Sequence, residues 1–342
     1  MAERDLIEQL DQAVQAILSG AQTVPAPEKA IAELVSIARE LRHLPGNDFR
    51  AKLKADLTQA AQAAKETKTM TSTTVVKPMR EGFHSITPYL IVEGAANLVR
   101  FLGQAFGAKE LLRVPRPGGS GIMHAEVRIA DSIIELADAT PQHPPMPAAI
   151  HLYVSDVDAV YQRALQAGGT SAYGVVDQFY GDREGSVKDP AGNLWYIATH
   201  KWDASPEHPA ANFIPQGLRT VTPYLHPKGT GQMIEFLKQA FDAEEVERDE
   251  SPDGAVVHGK VRIGDSIIEM GEAHGEFQPM PSMLHLYVND TDTTYQQALQ
   301  AGATSTIPPS DTPYGDRSAA VIDPAGNHWY IATHIRDVPP PQ

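Results

Sequence analysis

Residues 84–200 are followed by a second version of themselves at 219–334, which restricts the chain to folds that use one unit twice. HSITPYL from His84 returns as RTVTPYL from Arg219, FLGQAFGA from Phe101 as FLKQAFDA from Phe236, and MHAEVRIADSIIEL from Met123 as VHGKVRIGDSIIEM from Val257. IHLYV from Ile150, YGDR from Tyr180 and DPAGNLWYIATH from Asp189 return as LHLYV from Leu284, YGDR from Tyr314 and DPAGNHWYIATH from Asp323. A repeat this long is a whole folding unit, well beyond the periods of solenoids and propellers. Two equivalent modules are expected to pack as an intrachain pseudo-dimer.

The rest of the chain divides around this repeat. Residues 1–68 carry helical periodicity: Leu6, Leu10, Val14 and Ile17 share one face, and Ile31, Leu34, Val35, Ala38 and Leu41 a second. Phe49, Leu53 and Leu57 form a third, so a small helical N-terminal region is expected, either packed on the modules or supporting self-association. Residues 69–83 read as a Thr-rich linker, 84–200 as module 1, 201–218 as a Pro-rich linker and 219–336 as module 2. A formal net charge of −15 argues against gripping phosphate backbones or anionic lipid, so neither nucleic acid nor a membrane is expected as a partner. Cysteine is absent, which removes disulfides, thiolate metal sites and cysteine nucleophiles. The charged opening MAERDLIEQLDQ has no apolar core of signal-peptide type, so the expected location is cytoplasmic.

Within module 1 the patterns predict a strand at Thr87–Val92, a helix bearing Leu98, Phe101, Leu102 and Ala105 closed by Gly107, and strands at Ile122–Ile129 and Ser132–Ala137. A strand at Ile150–Val154 and a helix capped by Asp156 or Asp158 open the second half. Each module therefore reads as two βαβββ units. With Ala130 and Asp131 as a two-residue turn, Ile129 opposes Ser132 and Glu126 opposes Glu135. One strand face then carries Ala125, Val127, Ile134 and Leu136, and the other His124, Glu126, Arg128 and Glu135. In module 2 the polar face becomes His258, Lys260, Arg262 and Glu269. Glu126 against Glu135 is a like-charge pair that requires Arg128, His124, a cation or a shared proton to offset it. The YGDR segments read as loops braced internally by their Asp and Arg, and DPAGN as a turn without chemistry.

These motifs resemble the glyoxalase, bleomycin-resistance and extradiol-dioxygenase superfamily, also called vicinal oxygen chelate proteins, and within it the PhnB-like branch. The resemblance covers both modules and implies an α+β fold of tandem modules with cupped mixed sheets. It also implies a divalent metal, such as Zn, Ni, Mn or Fe, held by side chains from four strands. Laid onto this sequence, those four positions fall at Thr87 and Thr222, Glu135 and Glu269, Ala149 and Met283, and Tyr196 and Tyr330. Only the glutamates are metal ligands, so no metal cofactor is favoured; the fallback donors are Glu135, Glu269, His226 and His285, with Glu269, His285 and His226 or His258 as one grouping.

The favoured reading is a small-molecule binding protein. One cup is expected from Tyr89, His124, Glu126, Arg128, Glu135, His151, Tyr153 and Tyr196, and a second from Tyr224, His226, His258, Arg262, Glu269, His285, Tyr287 and Tyr330. Whether a cup forms within one module or between halves of the two is left open by the repeat. The alternatives are a metal-dependent lyase, isomerase or dioxygenase acting on vicinal oxygens, and a scaffold working through the N-terminal helices.

Overall fold

The computed structural model describes residues 76–119, 121–203, 209–275 and 277–338. The expected N-terminal helices, and any self-association through them, lie outside the described residues.

Module 1 runs β1 (Ile86–Val92), α1 (Ala95–Phe106), β2 (Lys109–Pro115), β3 (Ile122–Ile129), β4 (Ser132–Asp138), β5 (Ala149–Tyr153), α2 (Val157–Gln166), β6 (Thr170–Asp177), β7 (Asp182–Lys188) and β8 (Leu194–His200). Module 2 repeats the series as β9 (Val221–Leu225), α3 (Thr230–Phe241), β10 (Glu244–Glu250), β11 (Val256–Ile263), β12 (Ser266–Gly271), β13 (Met283–Tyr287), α4 (Thr291–Gln300), β14 (Thr304–Asp311), β15 (Asp316–Ile322) and β16 (His328–His334). Among the described residues no helix is long and apolar enough to cross a membrane.

Local sequence explains the elements. In α1, Leu98, Phe101, Leu102 and Ala105 are buried at helical spacing, and Gly107 ends the helix with φ 71°. The Asp156 side chain accepts from the Ala159 N–H to start α2, and Asp290 does the same for α4 with Thr293. Ala130, at φ 49°, turns β3 into β4, and the ladder pairs Glu126 with Glu135 and Ile129 with Ser132. The Asp189 carboxyl accepts from the Ala191 and Asn193 N–H groups, the Asn193 side chain and Trp195 Nε1, so the DPAGN turn is also an anchor for the buried tryptophan. Asp323 holds Trp329 in the same way.

The sheets do not respect the repeat. One has the order β14-β15-β16-β13-β1-β4-β3-β2 and the other β10-β11-β12-β9-β5-β8-β7-β6, so each joins half of one module to half of the other. The joint is antiparallel, with Thr87 opposite His285 in one sheet and His151 opposite Thr222 in the other. Each hairpin turn also reaches across: Asp265 Oδ1 accepts from the Ser85 N–H at 2.8 Å, and Asp131 Oδ1 from the Thr220 N–H at 3.2 Å. Smaller clusters, such as Phe83 and Ile133 with Tyr287 and Ala332, cross between the modules, while the two large helix-side cores stay almost entirely within theirs. One gathers α1, α2 and the inner residues of β1 to β8, with Val221 added; the other gathers α3, α4 and the module 2 strands, with Ile86 added. A module thus owns its apolar core but supplies half of each sheet.

Candidate functional site: two exchanged cups

Strand parity sends Trp195 and Trp329 toward the helices and Tyr196 and Tyr330 to the opposite face. On that face each cup forms between halves of the two modules, the alternative that the repeat left open, so the residues grouped module by module are redistributed. The first cup combines Tyr89, His124, Glu126 and Glu135 with His285, Tyr287 and Tyr330; the second combines Tyr224, His226, His258 and Glu269 with His151, Tyr153 and Tyr196. The expected grouping of Glu269 with His285 therefore does not occur, because those residues belong to different sheets.

At the centre of each cup an imidazole holds a glutamate from the other module. His285 Nδ1 lies 2.7 Å from Glu135 Oε2, and His151 Nδ1 lies 2.8 Å from Glu269 Oε2. Burial works to lower the His151 pKa, but Glu269 and Glu184 outweigh it and push the group up to about 10. Burial likewise opposes charge on His285, and Glu135 reverses the direction to raise it. Each ring lies against a tyrosine two residues on, at centroid distances of 4.3 Å for His151 with Tyr153 and 4.5 Å for His285 with Tyr287. Those tyrosines donate to Asp182 and Asp316, at 2.9 and 3.1 Å. Asp182 and Asp316 in turn hold His200 and His334, which continue to the exposed Asp203 and Asp337.

The YGDR motifs thus differ from the expected self-braced loop. Asp182 and Arg183 are successive residues of β7, so they point to opposite faces; Asp182 enters the cup while Arg183 pairs with Asp158 and Asp177. Two residues further, Glu184 also faces the second cup, where its Oε1 accepts from Tyr173 and Tyr180.

Charge is balanced differently in the two cups. In the first, Glu126 opposes Glu135 as expected, but the offsetting cation is Arg80, whose Nη1 lies 2.7 Å from Glu126 Oε1 and whose guanidinium sits 4.7 Å from the Phe83 ring centroid. Burial would raise the Glu126 carboxyl, yet hydrogen bonds from His124 and Arg80 hold it below the usual carboxylate value. Arg128 is exposed, two residues nearer the turn, and is not the counter-ion; Arg262 is also exposed and meets Glu244 at 3.4 Å. In the second cup Lys260 replaces Glu126 and stands 3.7 Å from Glu269 and 3.0 Å from Glu247. The second carboxyl moves instead to Glu184, where the first cup has Ser318. His258 turns toward the sheet edge, 3.4 Å from Glu247 and 3.5 Å from Asp249.

His226 has no imidazole counterpart, since the equivalent residue is Ile91. Its Nε2 meets the Tyr196 hydroxyl at 2.9 Å, its ring stacks on Phe277 at 5.8 Å, and its Nδ1 is buried without a partner. Burial, with His274 nearby, lowers its pKa to about 4. A depressed base adds stability that is complete above its unfolded value, about 6.5, and lost as pH falls through the folded value. In an NMR titration the His226 ring resonances should therefore keep their neutral-form shifts down to about pH 4. Phe277→Ala, which opens the stack, should move the midpoint up toward about 6.5; a wild-type midpoint already there would refute the burial argument.

The four positions implied for a family metal fall in each cup as one glutamate among non-ligands. The first cup offers Thr87, Glu135, Met283 and Tyr330, and the second Thr222, Glu269, Ala149 and Tyr196. Both glutamates are already bonded to imidazoles, so these residues do not fit a four-position metal centre. A cavity of about 430 Å³ reaches Tyr287 of the first cup but is otherwise lined by residues outside the cups, among them Asp242, Asn289, Asp290, Thr293 and Gln297. The residue equivalent to Gln297 in module 1 is Arg163, which donates to the Ala105 carbonyl.

Comparison with known proteins agrees with this architecture. The family model described as Glyoxalase/Bleomycin resistance protein/Dioxygenase superfamily matches residues 82–197 and 228–331. An uncharacterized protein of Mycobacterium bovis is 41% identical over 124 residues, covering 33% of this chain and 81% of its own length. The Mycobacterium tuberculosis protein CFP32 is 26% identical over 227 residues, covering 62% of this chain and 80% of its own. The crystal structure of glyoxalase I from Zea mays aligns with a TM-score of 0.53 at 14% identity, over 72% of this chain and 92% of that one, a likeness of fold.

Proposed function

Because the chain belongs to the glyoxalase/bleomycin resistance protein/dioxygenase superfamily, we propose that it binds small molecules in its two exchanged cups, without the inherited four-position metal centre. The observation that carries this reading is the chemistry of those positions: hydroxyl, methyl and thioether groups surround a single imidazole-bonded glutamate in each cup. Aromatic walls with a few converging polar groups suit an organic ligand. Tyr89 and Tyr330 stand 5.8 Å apart in the first cup, and Tyr196 and Tyr224 5.1 Å apart in the second.

The different charge arrangements support two ligand preferences. In the first cup Arg80 pairs with Glu126, the neighbour of the central Glu135, whereas in the second Lys260 stands beside the central Glu269 itself. Metal-dependent lyase, isomerase or dioxygenase chemistry on Glu135 or Glu269 is the less favoured alternative, since a metal there must first displace an imidazole. Ligand-observed NMR with a mixture of small aromatic acids, amines and phenols tests the binding reading. Tyr89→Ala should weaken one set of binders and Tyr224→Ala another, each by at least about tenfold, given that one well-packed aromatic anchor contributes more than 1.4 kcal/mol. Binders indifferent to both substitutions would place recognition outside the cups.

A further inference from the structure

We propose that the second cup holds one divalent first-row metal ion on His151 Nε2, Asp182 and Glu184, a donor set that avoids every position at which the family's metal was expected. These residues come from β5 and β7, are all buried, and bring one candidate ligand atom each to within 4.8 Å of the others. The decisive atom is His151 Nε2. It is buried without a well-aligned hydrogen bond, and its near neighbour, Glu184 Oε2 at 3.0 Å, is the ion-pair partner of the protonated ring, so a bound ion takes the place of the Nε2 proton. Two donors on cis positions of an octahedral ion with bonds of about 2.1 Å stand about 3.0 Å apart, so the spacing suits a shared ion.

Neighbours fix the outer atoms of His151 and Glu184 and both oxygens of Asp182. His151 Nδ1 is held by Glu269, as metal-binding histidines are commonly held by a carboxylate behind them. Glu184 Oε1 accepts from Tyr173 and Tyr180, and Asp182 accepts from Tyr153 and meets His200. One imidazole with two carboxylates suits Mn(II), Fe(II) or Zn(II), rather than the soft ions that require thiolate. The first cup retains His285, Asp316 and the supporting Glu135, but Ser318 stands where Glu184 would be and Ile307 where Tyr173 would be. His124, Glu126 and Glu135 also lie close together in the first cup, but Arg80 and His285 already hold its two carboxyls, so one site is expected among the described residues. The inference is independent of the ligand reading, since a cup can bind an organic molecule with or without this ion.

The test uses the full chain, stripped with chelator, equilibrated with Mn(II) or with Zn(II), and freed of excess ion. Metal analysis should give one ion per chain for wild type and for Glu135→Gln, and none for Glu184→Gln with its circular dichroism unchanged. Glu269→Gln, which loosens His151 from behind, should weaken Mn(II) affinity by about 10–100-fold. No bound ion in wild type would overturn the proposal, as would an ion kept by Glu184→Gln or lost from Glu135→Gln.

Discussion

In a urea titration, Trp195→Ala is expected to lower the unfolding free energy by about 4 kcal/mol, the usual cost of emptying a large aromatic site in a closed core. Trp195 is fully buried, and its ring centre lies 4.8 Å from that of Phe106. The substitution also strips the Asp189 carboxyl of the Trp195 Nε1 donor, worth about 1 kcal/mol more when the acceptor is left buried. Burial already pushes Asp189 up against four hydrogen-bond donors, so losing one should raise it further. Trp195→Phe should recover part of the packing but not the hydrogen bond. Because β8 is joined through β5 to β9 of the other module, the variant should still unfold in one transition. A loss below about 2 kcal/mol would contradict the packing argument, and two separated transitions would contradict the coupling of the modules.

Arg80→Ala is expected to be the most damaging single change in the first cup. Breaking a buried ion pair by removing one partner costs about 3–5 kcal/mol, and the partial exposure of Arg80, 31% of its side chain, discounts that to about 2 kcal/mol near neutral pH. What remains is Glu126 opposite Glu135 with His124 as the nearest offset. In the wild type Glu126 is depressed, so its contribution is present above the unfolded carboxyl value and fades as pH falls through the folded one. Without Arg80 that sign should reverse: burial should raise Glu126, and the variant should regain stability as the solution is acidified toward about pH 4–5. Adding Glu126→Gln to Arg80→Ala should restore most of the loss at neutral pH. Thermal unfolding at pH 5 and pH 7 separates these outcomes, and a pH-independent deficit would mean that packing against Phe83, rather than charge, is what Arg80 contributes.

Arg80 also marks a limit of reading the sequence. The pairing of Glu126 with Glu135 follows from a two-residue turn and the alternation of strand faces, both local, and the ladder forms in that register. The cation that offsets the pair comes from the segment before β1, where the repeat supplies no guide: the equivalent residue is Pro215. Glu184 was legible in principle. Counting alternate residues from Val187, which packs on the helix side, places Ser186, Glu184 and Asp182 on the cup face; treating YGDR as a loop concealed that parity. The exchange of halves was not legible. Two near-identical copies of β1 and β13 partners exist, and periodicity cannot say which copy a strand will join.

That exchange has a consequence for how the protein can change. In a two-fold dimer of identical single modules, every position appears in both cups, and any substitution is made twice. Here each position occurs once: the first cup takes its β-strands from the two ends of the repeated region, β1–β4 and β13–β16, and the second from its middle, β5–β12. Lys260 and Glu184 therefore alter the second cup while Glu126 and Ser318 remain in the first. Joining the modules in one chain releases the two cups from symmetry, so that one can acquire new chemistry while its twin keeps the old.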